Sequence, residues 1–318
     1  MGCWAIGGEW KFDTQEAGWG AVSDLESIKA IEAALEMGIT FFDTAANYGA
    51  GHSEVILGKA LGAAREQVVI ATKFGYGLDE AQKVVRGVHC TPADIRASCL
   101  ASLRRLQTDY IDLFQLHVGD YPISKASEIL VTLEQLVQEG LIRAYGWSTD
   151  DLARAKVFAA APNCVAIQHQ QNIFEDNSAM LEFLEQHNLS SINRGPLGMG
   201  MLTGKFSGGA AFTASDVRFI SPAWMAYFQH GQPNPVWLAK LEAIREVLMA
   251  GRRTLAQGAL AWLLARSSQT IPIPGFRTVK QVQENAAVLA QGALSQAQME
   301  EIGGLLSHQA HLEAHKLV

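Results

Sequence analysis

Four cysteines in 318 residues, at positions 3, 90, 99 and 164, never form a Cys-x-x-Cys pair, so the sequence carries neither a zinc knuckle nor a disulfide framework. Such sparse cysteines read as reduced thiols, and the expected location is cytoplasmic. Positive charge is also scarce. With 25 basic against 32 acidic residues the formal charge is −7, which opposes attraction to nucleic acid and to anionic membrane surfaces. No run of about 18 apolar residues occurs. Glu9 and Lys11 interrupt the opening MGCWAIGGEWK before a signal-peptide core forms. Gly2 is not followed by the Ser or Thr that N-myristoylation needs at the sixth position, where Ile6 stands. Neither G-x-G-x-x-G nor G-x-x-x-x-G-K-[ST] is found, so both standard phosphate-binding loops are missing. Clusters with metal-ligand spacing, internal repeats and low-complexity tracts are absent as well, and no metal is expected.

What is present is the apolar content of a globular enzyme: 48% hydrophobic residues and 18% charged. Length alone leaves one or two domains open. Short β-rich runs alternate with segments of helical period: GCWAIG, Ser23 to Met37, ITFFDTA, Glu54 to Leu61, VVIATKFG, Pro92 to Leu106, YIDLFQLH, Ser127 to Glu139, IRAYGWS, Asp151 to Ala160, CVAIQHQ, Met180 to His187 and LSSINRG. A longer loop covers 196–235. Helical stretches at Val236–Met249 and Leu255–Arg266 follow it, then TIPIPG and a helix from Val279 to Ala290. Eight such units with nearly continuous apolar strands predict an α/β protein, a (β/α)8 TIM barrel spanning 1–318 as a single domain, with an open doubly wound sheet as the structural rival. Thr91-Pro92 reads as an N-cap followed by proline in the first turn, and Gly38 and Gly140 as helix ends. The small, polar stretch 204–215 reads as a flap.

A barrel places its active site at the carboxyl ends of its strands, so polar residues there are the informative ones. Asp43 ends FFD and Tyr48 lies in the loop beyond it; Lys73 lies in ATKFG and His117 ends LFQLH. Each alone is readily structural. Together they form a proton-transfer system, because a phenol of pKa ~10 acts as an acid near neutrality only when a cation stabilises its anion. Lys73 is placed to be that cation, Asp43 to keep it charged, and His117 to orient a substrate oxygen. No side chain donates hydride, so a reduced nicotinamide or flavin is implied.

In order along the chain, FFDTAANYGAGHSE, ATKFG, LFQLH, GWS, AIQ and IPIPGFRTVKQVQEN resemble the aldo-keto reductase family, over nearly the whole length. The resemblance implies a NADPH-dependent oxidoreductase that reduces aldehyde, ketone or keto-sugar carbonyls, with Asp43, Tyr48, Lys73 and His117 as its catalytic tetrad and Tyr48 as proton donor. It implies that Ser148 and Gln168 hold the nicotinamide carboxamide, with Thr149 where the family usually has Asn or Arg. Gly195, Pro196, Leu197 and Met199, with Lys205 and Arg218, would fold over the pyrophosphate. Gly275, Arg277, Gln281, Glu284 and Asn285 would surround the adenosine. The helix amino end and the bidentate fork of Arg277 suit a 2′-phosphate, which favours NADPH over NADH. Trp4 would lie beside the cofactor, and Trp10, Trp19, Phe74, Val118, Trp147 and Trp224 are further candidates for an apolar pocket wall.

Three departures stand out. Gln171 replaces the Tyr of the family's Q-x-x-Y-N pattern. Arg194 replaces the aromatic residue that stacks on the nicotinamide, and would either stack in its place or turn aside to a carboxylate or an anionic substrate. The chain also opens almost at its first strand, without the preceding hairpin that closes the barrel floor. A rival function, a non-catalytic nicotinamide-dinucleotide-binding regulatory subunit like those of potassium channels, is disfavoured by His117, because those subunits carry Asn there. The expected partner is a small carbonyl compound, with no nucleic acid and no membrane, and the sequence does not specify an oligomeric state.

Overall fold

The computed structural model describes residues 1–206 and 212–315; residues 207–211, inside the stretch expected as a flap, lie outside the described residues. Seven parallel strands stand side by side in chain order: β1 (Phe41–Asp43), β2 (Val69–Phe74), β3 (Ile111–Leu116), β4 (Ile142–Ser148), β5 (Cys164–Gln170), β6 (Ser190–Arg194) and β7 (Thr270–Pro272). Gly2 closes the ring by bridging in parallel to Asp43 on one side and to Gly275 on the other. The Gly2 amide donates to Pro274 O at 2.9 Å and the Cys3 amide to Asp43 O at 2.8 Å. The architecture is a (β/α)8 barrel, and ring closure leaves no sheet edge to protect.

The strand expected over Gly2 to Gly7 is therefore a correction: it shrinks to this one bridge. Ala5–Gly7 is a single 3₁₀ turn. Gly7 lies so close to the Tyr48 and Gly49 backbone that a Cβ there would sit 2.9 Å from Gly49 N. The chain is thus bent across the barrel mouth instead of running on beside β1.

Strand period explains the interior. Side chains two residues apart share a face. Ala71, Leu113, Ala166, Ile192 and Ile273 form one apolar cluster, with Phe41, Ala144 and Ile271 packed against it. Two residues further along five of these strands stand Asp43, Lys73, Gln115, Gly146 and Gln168; Lys73, Gln115 and Gly146 are direct register partners, while Asp43 and Gln168 are offset by the stagger of the sheet. A dry plug thus fills the lower barrel and a polar layer lies above it. The alternate faces, including Phe114, Leu116, Trp147 and Ile167, pack under the helices in the main core.

The helices that position the loops are α1 (Asp24–Glu36), α2 (His52–Leu61), α3 (Pro92–Leu106), α4 (Ile123–Gln138), α5 (Leu152–Ala159), α6 (Ser178–Gln186), α7 (Pro235–Met249), α8 (Leu255–Arg266), α9 (Val279–Ala286) and α10 (Gln296–His315). Thr91 and Asp94 form a capping box at the start of α3. Gly38 and Gly140 follow α1 and α4 with φ of 80° and 75°, the left-handed values that stop a helix. Helix α8 is buried on nearly every side, and Gly258 lets it approach α7 so closely that a Cβ would meet Leu248 O at 2.3 Å.

Two features escaped the sequence. Tyr76–Asp79 and Val84–Val88 pair as a hairpin, which joins Lys11–Phe12 and Gln15–Glu16 in a small lateral sheet. Its signal was the pair Val84 and Val85, both buried. Helix α10 was masked by Gly303 and Gly304, poor helix formers. Its Ile302, with Met299, Leu305 and Leu306, packs against the cluster of α7 and α8.

Candidate active site

Lys73, at the end of β2, is the centre of the polar layer. Its Nζ donates to Asp43 Oδ1 at 2.5 Å, to Thr44 O at 2.8 Å and to Tyr48 Oη at 3.3 Å. Asp43 and Lys73 are each about 1% exposed, so this ion pair is shielded from solvent. Burial pulls the Lys73 pKa down, but Asp43 and Tyr48 outweigh it and the ammonium is held above its ordinary value. The other oxygen of Asp43 accepts Gln168 Nε2 at 2.7 Å and Gln115 Nε2 at 3.3 Å.

The Tyr48 and His117 rings meet edge to face, with centroids 5.7 Å apart. Burial pushes the phenol above its ordinary pKa, and Lys73 only partly offsets this. The phenol therefore rests protonated, and the effect of the cation is felt when the proton leaves. His117 is held well below its ordinary value by burial first, then by Lys73 and Arg194, so its imidazole is neutral. The structure thus brings all four anticipated residues together.

The aromatic candidates divide. Trp4 stacks on Tyr48 at 5.9 Å and touches Trp19 and Trp224 at 5.3 and 6.2 Å, so these three gather at the mouth. Trp10, Phe74 and Trp147 belong to the core; Trp147 is fully buried and donates to Val118 O. Val118 is buried as well. Tyr76, which the sequence did not flag, faces His117 at 5.9 Å from the lateral sheet.

Around the mouth, Ser148 ends β4 and is buried. The Thr149 hydroxyl donates to Gly119 O at 2.7 Å, so it braces the loop after β3. Gln168 is engaged with Asp43, as above. Arg194 takes the second of its two anticipated courses: its guanidinium pairs with Asp150 and donates to Gln170 Oε1 at 3.0 Å. Gly195 has φ of 62°, and a Cβ there would lie 2.7 Å from Gln170 Oε1. Pro196 and Leu197 lead from it into the 3₁₀ segment Gly198–Thr203, where Met199 also takes a left-handed φ of 55°.

Lys205, Arg218 and Arg277 converge beyond this loop. Arg218 and Arg277 both depress Lys205, after its own burial, while Asp216 partly compensates. Arg218 is locked to Asp216 by bonds of 2.9 and 2.7 Å and lies over the rings of Trp19 and Phe212. Three cations crowded together against few carboxylates fit a polyanion such as a dinucleotide's phosphates. Arg277 precedes α9; its guanidinium donates to Trp19 O at 3.1 Å and to Ala21 O. Gln281 Oε1 accepts the Arg277 amide at 2.7 Å, and Asn285 Nδ2 reaches Gly275 O at 3.3 Å. Glu284 is near enough to act on Lys205. Among the described residues no group of three His, Cys, Asp or Glu is placed to hold a metal, and no helix is long and apolar enough to cross a membrane.

A barrel whose mouth joins a buried Asp43–Lys73 pair to the half-buried Tyr48 phenol, beside a neutral histidine, has the frame of a carbonyl oxidoreductase. The chain belongs to the aldo/keto reductase family, whose model matches residues 1–307. It is 32% identical to the aldo-keto reductase YhdN of Bacillus subtilis (strain 168) over 291 residues, 89% of this chain and 82% of that one. Among solved structures it resembles the glycerol dehydrogenase AKR11B4 of Gluconobacter oxydans, with TM-score 0.80 and 30% identity over 97% of this chain and 91% of that one. It also resembles an aldo/keto reductase of Klebsiella pneumoniae solved with NADP and acetate, with TM-score 0.67 and 26% identity over 93% and 90% of the two chains.

Proposed function

We propose that this chain, acting as one barrel domain, reduces the carbonyl of an aldehyde, ketone or keto sugar to an alcohol with NADPH, and that Tyr48 donates the proton. The observation that carries this reading is the position of Lys73 Nζ, between Asp43 Oδ1 at 2.5 Å and Tyr48 Oη at 3.3 Å. Bound at the mouth, the reduced nicotinamide supplies the hydride to the carbonyl carbon. The carbonyl oxygen, gaining negative charge, takes the Tyr48 proton, and Lys73 stabilises the phenolate left behind. Neutral His117 has one N–H to donate, so it orients that oxygen without competing as an acid. Solvent reprotonates the phenol after the alcohol departs.

Cofactor binding rests on the cationic trio. Lys205 and Arg218 would hold the pyrophosphate from the long loop, and Arg277 with the amino end of α9 would hold the 2′-phosphate. The Klebsiella relative was solved with NADP, which supports NADP(H) as the cofactor. Ser148 and Gln168 lie where the carboxamide would sit, Gly195 to Met199 shape the cover, and Gly275, Gln281, Glu284 and Asn285 line the adenosine end. Oxidation of NADPH across a panel of aldehydes, ketones and keto sugars tests the reading. No turnover of any carbonyl by protein that binds NADPH would refute it.

A further inference from the structure

The amino end of α9 already holds an anion. The Val279 amide donates to the carboxylate of Glu26 at 3.3 Å, across 253 residues of sequence. Glu26 is half-buried in the first turn of α1. Two other amides of the segment are satisfied within it: Gln281 Oε1 takes the Arg277 amide at 2.7 Å, and Thr278 Oγ1 takes the Gln281 amide at 3.3 Å. The partners of the Arg277 guanidinium are the carbonyls of Trp19 and Ala21, which carry no charge. Glu26 is thus the formal negative charge hydrogen-bonded to this cradle.

A phosphate monoester carries between one and two negative charges near neutrality. To use the Val279 amide it must displace Glu26 or settle beside it against like-charge repulsion. A free 2′-hydroxyl meets the opposite situation, because it is a donor and a carboxylate is a strong acceptor. In Rossmann proteins that pairing marks sites for the non-phosphorylated dinucleotide, whereas arginine marks the phosphorylated one. Glu26 and Arg277 bring both signals to one helix end.

We propose that Glu26 sets the cofactor preference of this chain, holding the 2′-phosphate cradle as an internal competitor and so narrowing the margin of NADPH over NADH. The inference rests on reading Arg277 and the start of α9 as the 2′-phosphate site. Dissociation constants of NADPH and NADH, from quenching of tryptophan fluorescence, test it in the wild type, Glu26→Gln and Arg277→Ala. Glu26→Gln keeps an acceptor for the Val279 amide and removes only the charge. NADPH should tighten by about 3- to 10-fold and NADH should not tighten by more than about twofold, the span expected of one screened like charge. The gain should shrink at high salt. Glu26→Asp, one methylene shorter, should move the ratio in the same direction by less. An unchanged NADPH constant in Glu26→Gln, or an equal gain for both cofactors, overturns the proposal. It overturns this proposal alone if Arg277→Ala still weakens NADPH selectively. Equal losses of both cofactors in Arg277→Ala overturn the phosphate-site reading and this inference with it.

Discussion

Arg194, instead of leaving its planar guanidinium free to stack on a nicotinamide ring, gives it to the carboxylate of Asp150. The Asp150 carboxylate offsets much of the Arg194 charge, whose remaining field still lowers the His117 pKa, so oxidised nicotinamide, which is cationic, should meet only a weak net repulsion. Replacing Arg194 with Tyr should therefore change the ratio of the NADP⁺ and NADPH dissociation constants by less than about twofold. Asp150→Asn uncovers the cation and should raise that ratio by about 3-fold, since roughly 0.7 kcal/mol survives screening in a half-solvated site. A general disturbance of the loop would weaken both forms alike and leave the ratio unmoved. An unmoved ratio in Asp150→Asn would count against the charge argument.

Tyr48→Phe should lower carbonyl reduction by about 10²- to 10⁴-fold, the usual worth of a positioned proton donor. NADPH binding should stay within about twofold, because the hydroxyl acts only in the reacting complex. Single-turnover rates and equilibrium binding separate the two effects. A variant that keeps more than half the wild-type rate would remove Tyr48 from the mechanism.

The pH profile follows from two shifts of opposite sign. His117 is held below its ordinary value, so it is neutral throughout the window from about pH 6.5 upward. Tyr48 is held above its ordinary value of about 10, so it stays protonated across the same window. The rate constant for reduction should accordingly be flat from about pH 6.5 to 9 and fall only in the alkaline range. A step centred near pH 6.5 that disappears in His117→Asn would show that the imidazole titrates during turnover.

His169 makes a separate prediction, on stability. It is buried, its Nε2 lies 2.8 Å from Ser191 Oγ, and burial lowers its pKa to about 4. Below the unfolded value of about 6.5 the unfolded chain takes up a proton that the folded chain refuses, so stability falls as pH drops from 6.5 towards 4. The loss is on the order of 3 kcal/mol by the lower end of that range. Urea unfolding of wild type and His169→Gln at several pH values checks it. Equal slopes in the two proteins would mean that His169 does not contribute.

Where α2 and α3 meet the outer face of β2, Arg105 Nε donates to Glu54 Oε2 at 2.6 Å, and Glu54 Oε1 accepts the Thr72 hydroxyl at 2.5 Å. Both charged side chains are nearly inaccessible, at 4% and 0%. Arg105→Met strands a buried carboxylate and should cost about 3–5 kcal/mol, whereas the double replacement Glu54→Met with Arg105→Met should recover most of it. Chemical denaturation of the three variants measures both steps. A double variant no more stable than Arg105→Met would show that the stranded charge is not the source of the loss.

The sequence by itself determined the alternation of strands and helices, the helix ends at Thr91, Gly38 and Gly140, and the four residues of the relay. These are legible because apolar period, capping chemistry and strand-end polarity depend on residues a few places apart. Only the tertiary structure decided which polar group each of them holds. Gln168 meets Asp43 across 125 residues, Arg277 meets Trp19 across 258, and Arg194 meets Asp150 across 44. Each choice is a competition among donors and acceptors that ring closure brings to one rim, and the winner depends on distance, burial and the other partners present. The shrinking of the first strand to a bridge at Gly2 has the same origin. Its local pattern favours a strand, but the backbone of Tyr48 and Gly49 occupies the space beside Gly7 and turns the chain over the mouth.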